Sequence, residues 1–97
     1  MKTKDNEYVI SDLLKEIFSR YELGDRLTEM DIIRTYRVIV GDLISKLTKE
    51  AKVKNKTLYL KISSAALKNE LFYKKEDLVN RINRDLNCEA LETIVFL

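Results

Sequence analysis

Between Leu58 and Leu71 the chain changes its hydrophobic period with no linker, and this constrains the fold more than any other stretch. Leu58, Leu60 and Ile62 alternate with Tyr59, Lys61 and Ser63, the pattern of a strand with one apolar face. Ala66, Leu67 and Leu71 then fall at helical spacing. At the join, Ser63 or Ser64 can accept a bond from the first free backbone amides of a helix. The stretch therefore reads as a strand that turns at two serines straight into a helix.

Upstream, Ala51 and Val53 alternate with Lys52 and Lys54, and Thr57 opens the next strand, which makes a hairpin. If Asn55 and Lys56 form a two-residue turn, Val53 faces Leu58 and Ala51 faces Leu60 on the inner side. On the outer side Lys54 then faces Thr57, Lys52 faces Tyr59, and Glu50 faces Lys61 as an opposite-charge pair. One register satisfies both faces. A longer loop is the alternative, because no glycine follows the asparagine.

Two helices are expected before the hairpin. Ile10, Leu13, Leu14, Ile17, Phe18 and Tyr21 form one apolar stripe that stops near Gly24, and residues 1–8 are polar and expected to fray. Thr28, with Asp31 three residues on, opens the second helix, and Leu27 and Ile32 occupy the positions of a hydrophobic staple. Its stripe is Ile33, Tyr36, Val40, Leu43, Ile44 and Leu47, widened by Ile32 and Ile39. Gly41 lies inside this pattern and is read as a close approach of another backbone, with a local break as the alternative.

Downstream, Leu67, Leu71, Leu78, Ile82 and Leu86 line a third helix that Asn87 can end in a left-handed conformation. Lys74 and Lys75 fall where that line would continue. They are read as a helix overrunning the sheet, with snorkelling ammonium groups, in preference to a break near Phe72 and Tyr73. In the last strand Ile94 and Phe96 share one face, and Thr93, Val95 and Leu97 the other. Apolar residues on both faces suggest a central strand, or an edge covered by a partner.

The expected order is thus α-α-β-β-α-β. It describes one α+β domain of 97 residues in two layers, a three-stranded sheet with helices on one face. The opposite face would expose Lys52, Lys54, Tyr59 and Lys61. Residues 46–84 carry eleven basic and four acidic side chains, a net +7 inside a chain of net charge +2. Such a concentration is a footprint for a polyanion or an acidic protein, against the plain alternative of a solvated surface.

The absences also bear on function. The sequence has no histidine, the usual proton shuttle and metal ligand, and its two glycines, Gly24 and Gly41, cannot form a phosphate-cradling loop. No pair of carboxylates is singled out as acid and base, so neither an enzyme nor a cofactor or metal is expected. No apolar run approaches the roughly 18–20 residues that span a bilayer. The lone Cys88 fits a reducing compartment, and a cytoplasmic location is expected.

Four segments together resemble the DciA-like family of bacterial proteins. They are Tyr36-Arg-Val-Ile-Val-Gly41, the stretch from Leu58 to Leu71, Arg81-Ile-Asn-Arg-Asp-Leu-Asn87, and Ile94-Val-Phe96, and their order and spacing carry the likeness. The resemblance implies a KH-like fold, with DNA binding and action beside the replicative helicase at the start of replication. A nucleic-acid site would then comprise Lys52, Lys54, Lys56, Tyr59, Lys61, Lys74 and Lys75, the lysines neutralising phosphates and Tyr59 offering a stacking face. A Gly-x-x-Gly clamp between Leu71 and Asp77, the device of true KH domains, is absent. The expected partner is nucleic acid, DNA before RNA, with the replicative helicase second; no membrane or small-molecule partner is expected. Docking on the helicase through the basic surface is the second reading, and RNA binding the third.

Overall fold

The computed structural model describes residues 12–22 and 26–97. The elements are α1 (Asp12–Glu22), α2 (Glu29–Leu47), β1 (Thr48–Lys54), β2 (Thr57–Ile62), α3 (Ala65–Tyr73), α4 (Lys75–Leu86) and β3 (Thr93–Phe96). The sheet runs β1-β2-β3, with β2 antiparallel to β1 and parallel to β3. This is the expected α+β architecture. The apolar side chains of β2 (Leu58, Leu60 and Ile62) are buried beneath the helices, together with Ile94 of β3.

The strand-to-helix join forms as its two serines predict. Ser64 has extended backbone angles, and its hydroxyl accepts from the Leu67 amide at 3.2 Å, satisfying a donor that the first turn of α3 would otherwise leave unpaired. Ser63 instead donates its amide to the Leu47 carbonyl at 2.8 Å, tying the end of β2 to the end of α2. Leu71, Leu78, Ile82 and Leu86 are buried as their spacing requires, and Val79 joins them. The expected overrun at Lys74 and Lys75 does not occur. Lys74, at φ −105° and ψ 14°, separates α3 from α4, and the amide of Lys74 still reaches the Glu70 and Leu71 carbonyls at 3.3 and 3.1 Å. The apolar lines of both helices still face the core, and the break falls at Lys74, which is exposed, with Lys75 half-buried after it. Asn87 ends α4 at φ 57° and ψ 36°, the expected left-handed cap. The Asn83 side chain then holds the following loop by exchanging two 2.9 Å bonds with the Leu91 backbone, and this sets the start of β3.

Helix α2 opens on a complete capping box: the Thr28 hydroxyl accepts from the Asp31 amide, and the Asp31 carboxylate accepts from the Thr28 amide at 3.0 Å. Asp31 also pairs with Arg20, fastening α1 to the start of α2. In α1, Leu14 and Ile17 are buried at the expected spacing. Ile10 and Gly24 lie outside the described residues, as do the side chains of Leu13, Phe18 and Tyr21.

Gly41 is a break and not a close approach. A Cβ built there would meet nothing within 4 Å, so space does not require glycine. Its φ of 90° and ψ of 173° do, because that region is open in practice to glycine alone. The break resets the helical phase: Ile32, Ile33 and Tyr36 before it are buried, whereas Leu43 after it is 72% exposed, contrary to the unbroken stripe. Two polar straps span the corner. Arg37 Nη1 donates to the Ser45 carbonyl at 2.9 Å and to its hydroxyl at 2.8 Å. The fully buried Tyr36 hydroxyl meets Thr48 Oγ1 at 2.9 Å, and that hydroxyl donates to the Ile44 carbonyl at 2.8 Å, so Tyr36 is the donor to Thr48. Burial pushes the Tyr36 pKa up, keeping the phenol in the protonated form this chain of bonds uses.

At the sheet margin, Glu29 Oε2 accepts from the Val53 amide at 2.9 Å, occupying a donor on the outer edge of β1. Gly41→Ala is expected to destabilise the fold by about 1–3 kcal/mol through backbone strain alone, read as a lower urea midpoint with an unchanged slope. Asp31 gives a second expectation. Burial acts to raise its pKa, but the Thr28 amide, the Arg20 guanidinium and the Thr28 hydroxyl outweigh it and hold the carboxyl below its ordinary value. Such a group contributes stability above its unfolded pKa and loses it as pH falls through the folded one. Asp31→Asn should therefore lag wild type at neutral pH, with the gap closing in acid; a gap of constant size would show that another group is responsible.

Candidate nucleic-acid interface

The hairpin register places the proposed site residues. Lys54 pairs with Thr57, Lys52 with Tyr59, and Glu50 with Lys61, while Val53 pairs with Leu58 and Ala51 with Leu60. These are the pairs that the alternation predicts. Parallel pairing then sets Tyr59 beside Val95 and Thr57 beside Thr93. One row across the uncovered face therefore reads Lys52, Tyr59, Val95, with neighbours about 5 Å apart.

Lys52, Lys54 and Lys61 are exposed on this face, and Tyr59 stands half-buried among them. The charge is not evenly spread. The β1 and β2 side carries the ammonium groups, with Glu50 offsetting Lys61, whereas the β3 side carries Thr93, Val95 and Leu97. Phosphates could be neutralised along the first half and an apolar or planar group accepted near the second.

Lys56 sits apart, at the tip of the hairpin. Asn55 and Lys56 have φ values of 53° and 61°, so the turn is the two-residue kind with two left-handed positions that matches strand twist. Lys74 and Lys75 do not join the sheet face at all. They lie at the α3–α4 break beyond the opposite margin of the sheet, where the Lys75 ammonium stands 4.8 Å from the centre of the Phe72 ring. The proposed seven-residue site is thus a compact group of four, a neighbouring turn lysine, and a separate pair.

The sequence reading missed the aromatic surroundings of that pair. Phe72 is 52% and Tyr73 85% exposed, and Phe72 also meets Phe96 of β3 edge to face. The signal is present in Phe72-Tyr73-Lys74-Lys75, two rings followed by two cations, but the expectation of a helix overrunning the sheet gives the rings no role. Among the described residues no cluster of cysteines and carboxylates could hold a metal ion, and no helix is long and apolar enough to cross a membrane.

The fold and this face define a small α+β domain that seals one side of a three-stranded sheet and presents the other as a partly cationic surface. The chain belongs to the DciA family: the family model described as Dna[CI] antecedent, DciA, matches residues 9–96. The role of that family is with the replicative helicase in DNA replication. No curated protein and no solved structure matches the chain.

The turn supplies a check on the register that orders this face. Lys56→Gly relieves a left-handed lysine and should raise stability by about 0.5–1 kcal/mol, seen as a higher urea midpoint. A loss of stability would mean that the lysine side chain is making a contact that outweighs the strain.

Proposed function

We propose that this domain contacts DNA through the uncovered sheet face while acting with the replicative helicase. The observation that carries the reading is the grouping of the exposed Lys52, Lys54 and Lys61 around Tyr59 on a face that the helices leave bare. Lysines held on adjacent strands keep a fixed spacing, so their charges act together on a phosphate chain, and the turn residue Lys56 lengthens the track. Tyr59 offers a ring to a base, an interaction of about 1–3 kcal/mol where it forms. Family membership supports the setting in replication.

A second reading has its own observation. Val95 and Leu97 are 38% and 55% exposed on the β3 half of the same face, an apolar surface better suited to a protein than to a phosphate chain. In that reading the face docks on the helicase, and DNA is not needed for the two to meet. Capture of the helicase after nuclease treatment would favour it.

The test of the first reading is fluorescence anisotropy with labelled single-stranded and duplex DNA at several salt concentrations, with RNA of the same sequence as competitor. Three phosphate contacts give a slope of log K against log salt of about −2 for single strands and about −3 for duplex. The triple variant Lys52→Glu, Lys54→Glu, Lys61→Glu should lose measurable binding while keeping its unfolding midpoint. Unchanged affinity in that variant would remove the sheet face as the DNA site.

A further inference from the structure

Beside β3, on the side away from β2, a cavity of about 460 Å³ opens between the helix layer and the strand. It is lined by Lys68, Asn69 and Phe72 of α3, Lys75 of α4, and Val95 and Phe96 of β3. Its walls are mostly apolar, and its two charged side chains are both ammonium groups, with no carboxylate among the lining residues. Lys75 stands over Phe72 at 4.8 Å, and Lys68 Nζ donates to the Leu97 carbonyl at 3.0 Å, so both cations are held at the mouth of the cavity. The exposed faces of Phe72, Tyr73 and Leu97 continue the apolar surface outside it.

We propose that this groove receives a short segment of a partner protein in which an apolar side chain is flanked by carboxylates. The apolar side chain would lie in the hollow against Phe72, Val95 and Phe96 without parting the two rings, and the carboxylates would meet Lys68 and Lys75. Two observations favour a peptide over a nucleic-acid strand. The Phe72 ring meets Phe96 at 67° and Tyr73 at 73° and carries Lys75 at its face, so the rings are engaged edge to face and leave no open pair for a base to stack between. The adjoining hollow along β3, of about 240 Å³, shares Lys75 but is lined beyond it by Glu76 and Glu92, which would repel a polyanion continuing along the strand. A short anchor with local negative charge meets only the favourable half. This groove includes none of Lys52, Tyr59 and Lys61 and meets their face only at Val95, so the variants that test it differ from those that test the DNA reading.

The probe is an acetylated, amidated peptide Asp-Asp-Phe-Leu-Asp-Asp, titrated into ¹⁵N-labelled protein and followed by amide chemical shifts. Saturable shifts are expected at residues 68–75 and 94–96, with none from a peptide carrying serines for Phe-Leu. Phe72→Ser and Lys75→Glu, both at solvent-accessible positions, should each weaken binding about tenfold or more, the scale for loss of an interface anchor, with unfolding midpoints kept. The proposal is overturned by an absence of saturable shifts, by equal binding of the serine peptide, by shifts confined to the face around Tyr59, or by a thymidine oligonucleotide that displaces the peptide from these residues.

Discussion

The corner at Gly41 governs the arrangement of everything after it. A helix that ran straight from Glu29 to Leu47 would deliver β1 along its own axis, and the sheet could not fold back under the helical layer. One residue at φ 90° changes the direction, and two sets of hydrogen bonds, Arg37 to Ser45 and Tyr36 through Thr48 to Ile44, fix the new one. Because Tyr36 is fully buried, its hydroxyl must find a partner, and the partner it finds is the first residue of β1. The direction of the sheet is thereby tied to a core residue of the helix layer.

This corner also explains where the family likeness resides. Three of its marks fall on points where the chain turns: Val40-Gly41 at the break, Ser63-Ser64-Ala65 at the cap of α3, and Leu86-Asn87 at the left-handed end of α4. The fourth, Ile94-Val-Phe96, is the strand that those turns deliver to its place beside β2. These residues specify how the chain is routed, and the surface lysines are a separate layer laid upon it. Family membership and the identity of the binding surface are therefore supported by different residues.

Much of the fold was legible because short-range rules agreed with one another. Alternation and a two-residue turn gave the whole hairpin register from Glu50 to Lys61, and Thr28, Asp31, Ser64 and Asn87 marked helix ends through side-chain chemistry. The interruptions were harder. At Gly41 both a close packing and a break are consistent with a glycine in a helical pattern, and only the backbone angles separate them. At Lys74 the spacing of leucines on either side suits one helix as well as two, since a break that skips one residue barely alters the count. The candidate face followed from the register and so was readable, whereas the aromatic groove required knowing that α3 ends at Tyr73 and that Phe96 meets Phe72 across it.

Glu29 has an effect beyond the single bond it makes. By occupying the Val53 amide among the exposed ammonium groups of Lys52 and Lys54, it leaves the β1 margin a poor template for any further strand. A sheet capped in this way extends less readily beyond β1. Strand addition between copies is thereby disfavoured at the β1 margin relative to the β3 margin.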